Sequence, residues 1–316
     1  GLKAKSLSAA QFGMKTTSNF SRAKILDLDK NIIFKTIEDG YIPIITGFQG
    51  INNEGDTTTM GRGGSDTTAV AIAASIQSKR CDIYTDVDGI YTTDPRIVPD
   101  AKKLDSISME EMLELAGQGA KVMQIRAVEF ANKYKVLVRV LSSFEPGSGT
   151  LILQEEDGME DAVITGIASQ TDQTKFTLHG VVDTPGIASG ILSPVSEAGI
   201  EVDVIVQNVS VSGKTDFTFT VGTSDRPEVE SVLKEKMQGI SFDELIIDEG
   251  IGKVSLVGVG MRSHAGIAST AFNALADAGI NIQMISTSEI KITIVISKEQ
   301  LEDAVKTLHE AFNLGD

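Results

Sequence analysis

Tryptophan is absent from the 316 residues, and aromatic residues make up only 5% of them. Stacking platforms for single-stranded nucleic acid therefore have little to be built from. Cations are also scarce: 28 Lys and Arg stand against 44 Asp and Glu, for a net charge of −16. A phosphate backbone needs a concentrated basic surface, so nucleic acid is excluded as the main partner, and the acidic balance reads as a solubilising surface. The single cysteine, Cys81, leaves no intrachain disulfide. That suits a reducing cytoplasm, and its apolar-rich surroundings mark it as a small core residue. His179, His264 and His309 lie far apart without ligand spacing, so no metal site is legible. No apolar run reaches the roughly 18 residues of a membrane span. There is no signal peptide, and a chain opening on Gly1 and "LKAKSLSAAQFGM" reads as one whose beginning is missing.

What is present is ordinary for a globular protein: 41% hydrophobic and 23% charged residues, over a length suited to two or three domains. Residues 1–150 alternate between strand and helix patterns. A helix ends near Gly40 and a buried strand follows over 42–46; a helix over 67–78 precedes the strand "CDIYTDV". Two helices then fill "SISMEEMLELAGQGAKVMQIRAVEFANKY", and "VLVRVLSSF" closes with a strand. Short apolar strands between helices predict a mostly parallel α/β sheet. Ligands in such sheets sit beyond the carboxyl ends of the strands, where "GFQG", "GRGGSD" and "TDVDG" fall.

The turn-rich, acidic stretch 145–162 reads as a boundary, with a linker over 151–161. Beyond it the chain repeats. "TPGIASGILSPVSEAGIEVDVI" at 184–205 aligns without gaps on "HAGIASTAFNALADAGINIQMI" at 264–285, a shift of 80 residues. Each copy carries most of a ferredoxin-like βαββαβ unit. The first spans 170–249 and ends on the strand "DELIID". The second, 250–316, stops one strand short. The strand "AVITGIAS" at 162–169 is expected to complete the second copy, since otherwise its sheet would leave an edge unpaired.

Three loops carry chemistry. In "GRGGSD", glycines at 61, 63 and 64 permit close backbone approach, and Ser65 or Asp66 is expected to cap the following helix. Taken alone the loop is either a capped helix after a tight turn or a binding loop. Arg62 between glycines has no packing role, and its planar fork suits a carboxylate, while Asp66 suits an ammonium. That pairing fits a zwitterionic amino acid better than a triphosphate. In "YTDVDGIYTTDPRI", Asp86 and Asp88 are either Asx-turn formers or ligand groups, and Tyr91 and Arg96 add a ring and a cation suited to a nucleotide. "GQGAKV" is expected to place Lys121 at a helix start, where amides and a positive charge attract phosphate.

These stretches, with "GFQGINNEGDTTTMGRGGSDTTAVAIAASI" at their head, closely resemble the aspartokinases of the amino-acid kinase superfamily. "VGVGMRSHAGIASTAFNALADAGINIQMISTSEIKI" is similar to the second of the paired ACT domains that regulate them. The likeness covers nearly the whole chain. It implies a partial amino-acid-kinase αβα sandwich followed by two ACT domains, and transfer of the ATP γ-phosphoryl group to the side-chain carboxylate of L-aspartate, the entry to lysine, threonine and methionine synthesis. Carried over, it assigns aspartate binding to Phe48, Arg62, Ser65 and Asp66, with Arg62 and Asp66 as the catalytic pair. ATP falls to Thr85, Asp86, Tyr91, Arg96, Lys121 and Val122, with Mg²⁺ arriving through the nucleotide. Lysine or threonine, or both, would bind Asp183, Gly186, Ile187, Ala188 and Gln207 of the first copy, faced by Asn281, Ile282, Ser288 and Glu289 across a two-fold dimer or higher oligomer. The family's opening K-F-G-G lysine and a later glutamate have no counterpart here, so this chain by itself is expected to turn over little. The alternative is a non-catalytic regulatory subunit whose working part is the ACT pair.

Overall fold

The structure is a computed structural model that describes residues 1–120, 122–154, 163–208, 213–236 and 240–315. It separates into two compact units, residues 1–94 with 100–165, and Pro95–Pro99 with Gly166–Gly315.

The first unit holds three sheets. Ala4–Leu7 pairs in parallel with Ile42–Ile45. A second sheet orders Ile25–Asp27, Lys15–Thr16, Gln49–Ile51 and Thr57–Thr59. The third orders Cys81–Thr85, Val138–Ser142, Thr150–Leu153 and Ser106–Ser108. Its outer pairs are parallel and its middle pair antiparallel. The unit is thus α/β as the alternation indicated, but its two four-stranded sheets are mixed. Thr150–Leu153 and Ser106–Ser108 run against the other two strands, and Thr150–Leu153 lies inside the stretch read as a boundary and overlaps the expected linker 151–161. "TLIL" is short and apolar enough to join a sheet, and the turn residues around it masked that signal. Residues 155–162, the rest of that linker, lie outside the described residues.

The helix after the glycine loop runs Gly64–Ser75 rather than 67–78. Its N-cap is Gly63 in the left-handed region, with no side-chain cap, so neither Ser65 nor Asp66 caps it. A glycine can turn the chain into the helix at φ 66°, so neither polar side chain is committed to capping. The helix buries Thr67, Thr68, Val70, Ala71 and Ala73. Leu7, Ala9, Phe12, Met14 and Met60 form a core cluster of this unit.

In the second unit each repeat forms its own four-stranded antiparallel sheet with two helices. The first orders Val202–Gln207, Lys214–Gly222, Gln173–Val182 and Glu244–Asp248. Helices Ile187–Glu197 and Arg226–Lys236 close over a core that includes Phe176, Phe217 and Phe219. Phe176 and Phe219 stack with ring centroids 5.3 Å apart. The second repeat orders Gly166–Gln170, Ile251–Val257, Lys291–Ser297 and Met284–Thr287. Gly166–Gln170 precedes the first repeat in sequence, yet it pairs with Ile251–Val257 of the second.

All seven residues of Ile251–Val257 are buried, including Lys253. Its ammonium meets the Asp203 carboxylate on the edge strand of the first repeat, so a charge pair joins the two repeats. Burial pushes the Lys253 pKa below its ordinary value of 10.5, against the pull of Asp203.

Candidate active site

The glycine loop is held in an unusual backbone. Gly61 and Gly63 take φ of 80° and 66°, and Phe48, which has a full side chain, takes 73°. Such a conformation for a bulky residue costs about 1–3 kcal/mol and persists only where surrounding bonds fix it. Here the Phe48 N–H donates to Thr68 Oγ1 at 3.1 Å. Its carbonyl accepts from the Met60 N–H at 3.0 Å. An added Cβ on Gly64 would lie 2.9 Å from both Phe48 Cδ2 and Met60 Cβ, so the "GFQG" and "GRGGSD" turns lie against each other. Arg62 and Ser65 are exposed and Asp66 is half-buried on the opening turn of the helix. Burial raises the Asp66 carboxyl, and a hydrogen bond from the Gln124 N–H partly offsets this. All four residues expected to hold aspartate therefore sit on two adjoining turns.

Gln124 and Arg126 were not singled out from the sequence. Gln124 caps the helix Ile125–Tyr134, and a Cβ on Gly63 would fall 1.6 Å from its Cγ. Arg126 donates to the Met60 carbonyl at 2.6 Å and the Ala23 carbonyl at 2.9 Å. "MQIRAVEF" reads as an amphipathic helix, and nothing in its periodicity tells an inward-pointing arginine from a surface one.

The second loop leaves the strand Cys81–Thr85. Thr85 Oγ1 donates to Asp86 Oδ1 at 3.1 Å. Asp88 accepts from the Tyr91 hydroxyl at 2.9 Å and from Lys103 Nζ at 3.0 Å. Burial works to raise the Asp88 carboxyl, but the Lys103 and Tyr91 hydrogen bonds outweigh it and hold it below the usual range. Asp88 thus braces the loop, whereas Asp86 is exposed at its start. Thr150 fixes the loop from below, accepting the Ile90 N–H at 2.9 Å and donating to the Leu104 carbonyl at 2.6 Å. Arg96 is exposed in Pro95–Pro99, which groups with the second unit. Lys121 lies outside the described residues, and the helix expected to open there opens at Ile125 instead, with the half-buried Val122 ahead of it. Burial and the nearby carboxylates of Asp82 and Asp66 push the Cys81 thiol up to about 11, so it stays protonated and inert near neutral pH.

The first repeat also carries a cavity. An open cavity of about 640 Å³ is lined by Asp183, Thr184, Pro185, Gly186, Ile187, Ala188, Ser189 and Gln207. Gly186, at φ 95°, opens the helix Ile187–Glu197 there without a side-chain cap. Every residue nominated in the first copy lines this cavity. Asn281, Ile282, Ser288 and Glu289 do not line it within one chain. Among the described residues no cluster of three or more His, Cys, Asp or Glu could hold a metal, and no helix is long and apolar enough to cross a membrane.

Residues 1–142 match the amino acid kinase family, and 177–236 and 254–312 each match an ACT domain. The aspartokinase of Pseudomonas aeruginosa is 54% identical over 316 residues, covering 99% of this chain and 77% of that protein. The chain belongs to the aspartate kinase family. Its members are phosphotransferases, and the fold is that of an amino acid kinase domain followed by two ACT domains. Escherichia coli aspartokinase III, solved with aspartate and ADP in its R-state, superposes with a TM-score of 0.84 at 30% identity, covering 98% of this chain and 70% of that one. The same enzyme solved with lysine and aspartate in its T-state gives 0.73 at 30% identity, covering 99% and 70%.

Proposed function

We propose that this chain transfers the γ-phosphoryl group of ATP to the side-chain carboxylate of L-aspartate, giving 4-phospho-L-aspartate. The observation that carries the reading is the pair of adjoining turns, with exposed Arg62 and Ser65 and half-buried Asp66 beside the strained Phe48. Arg62 grips a substrate carboxylate and Asp66 its ammonium. Phosphoryl transfer asks little covalent chemistry of the protein beyond positioning and charge neutralisation. In this reading the nucleotide is assigned to Thr85, Asp86, Tyr91, Arg96, Lys121 and Val122, and Mg²⁺ comes with the phosphates. A single buried cysteine suits a cytoplasmic setting. The test is calorimetric titration of aspartate and of a non-hydrolysable ATP analogue, beside an ATP-consumption assay. Arg62→Ala is expected to weaken aspartate about 10- to 100-fold and leave the nucleotide unchanged. Equal loss of both ligands, or of neither, defeats the assignment.

The cavity at 183–189 is the effector site in this reading. Backbone amides at the start of the helix Ile187–Glu197 take the carboxylate of lysine or threonine. Asp183 takes its ammonium, and Gln207 reaches in from the neighbouring strand. Asn281, Ile282, Ser288 and Glu289 would come from a second copy across a two-fold axis, which links effector binding to assembly. Gln207→Ala is expected to weaken the effector about tenfold without touching aspartate binding. Calorimetry showing neither amino acid bound, by the parent chain or the variant, removes the proposal.

A further inference from the structure

One helix start meets the glycine loop at several points. The Gln124 side chain fills the space where Gly63 would carry a Cβ, and the Gln124 N–H reaches the Asp66 carboxylate. Two residues on, the Arg126 guanidinium ties the Met60 carbonyl at 2.6 Å to the Ala23 carbonyl at 2.9 Å. Met60 in turn donates its N–H to Phe48. Ala23 donates its own N–H to the Thr59 carbonyl at 2.9 Å, and Thr59 donates to Phe20 at 2.8 Å. Arg126 therefore spans two backbone segments, one leading into Gly61 and one running beside it. The chain of contacts ends on the strained φ of Phe48.

We propose that Arg126 is a positioning residue for the aspartate loop: it never meets the substrate, but sets the spacing of Phe48, Arg62 and Asp66. The proposal rests on the reading that this loop holds aspartate. A guanidinium suits the task because its donors sit in a rigid fork and reach two carbonyls at once. A lysine ammonium in the same place reaches one carbonyl well and the other poorly. The nucleotide loop takes its bracing from Thr150, Lys103 and Tyr91 instead, so loss of Arg126 separates the two ligands.

Arg126→Met and Arg126→Lys test this in the full 316-residue chain, by amide hydrogen exchange and by calorimetry. In Arg126→Met, amides over 20–23 and 59–66 are expected to exchange about tenfold faster or more, with exchange over Gly166–Gly315 unchanged. Aspartate affinity falls about tenfold while the ATP analogue binds as before. Arg126→Lys gives a smaller change of the same kind, and serves alone if the methionine variant loses its fold. Unchanged exchange and unchanged aspartate affinity overturn the proposal, as does equal weakening of both ligands. If the parent chain binds no aspartate, faster exchange at the loop still supports the positioning role, and the reading of the loop's ligand fails separately.

Discussion

Gly63→Ala is expected to abolish aspartate binding and to destabilise the first unit by about 2–4 kcal/mol. Two costs add. The backbone stands at φ 66°, where an alanine loses about 1–2 kcal/mol. The new Cβ would also lie 1.6 Å from Gln124 Cγ, 2.4 Å from its Cβ and 2.7 Å from its Cδ. A swing of the glutamine tip cannot clear a clash that reaches its Cβ. The helix start must move instead, and it carries the bonds to Asp66 and Met60. Gly55→Ala is the control, because Gly55 has φ 88° with nothing within 4 Å of an added Cβ. It should show the backbone cost alone and bind aspartate normally. Combining Gly63→Ala with Gln124→Gly should return the loss towards that of the control. Urea unfolding and calorimetry measure both quantities, and equal behaviour of the two alanine variants would refute the steric argument.

Asp203→Asn should cost about 2–4 kcal/mol near neutral pH, towards the lower part of the range for a broken buried pair because Asp203 is 31% exposed. Lys253, at 1% exposure, would be left without its partner. Its pKa is already lowered by burial, and losing the carboxylate lowers it further. The unfolded chain then binds more protons than the folded one, so stability rises with pH between the folded-state pKa and about 10.5. The deficit of the variant should therefore shrink as pH rises through the interval between the variant's folded-state Lys253 pKa and the higher one of the parent. Lys253→Met, which removes the buried charge, should cost less than Asp203→Asn, and the double variant should approach the parent. A deficit independent of pH would show that the pair is not what is being lost.

Much of this could be seen in the sequence because it is local. Glycines, a repeat with a fixed shift, and apolar runs announce turns, duplicated units and strands. Arg62 and Asp66 stood out because they bracket glycines with no packing reason to do so. The helix start that lines the cavity at 183–189 stood out because "DTPGIA" ends a strand and opens a helix. What stayed hidden depends on distant partners. Gln124 and Arg126 look like any helix opening until Gly63 and Met60 are set against them. Thr150 hid among turn residues, yet its hydroxyl holds a loop 60 positions earlier in the chain. Asp88, like Asp86, read from its loop alone as a turn former or a ligand group, and only the Tyr91 and Lys103 bonds show that its work is internal. The helix cap was misread because serine and aspartate are favoured there, whereas a left-handed glycine starts this helix.

The strand Gly166–Gln170 has a consequence for how such a chain can be cut or recombined. It belongs to the second repeat's sheet but enters ahead of the first repeat. A break placed between the repeats, near Gly250, strips the later piece of its outer strand and leaves the earlier piece with a strand that has no sheet to join. The smallest heritable module in this region is accordingly the pair, and duplication or swapping of a single repeat would yield an open-edged domain prone to capture its neighbours.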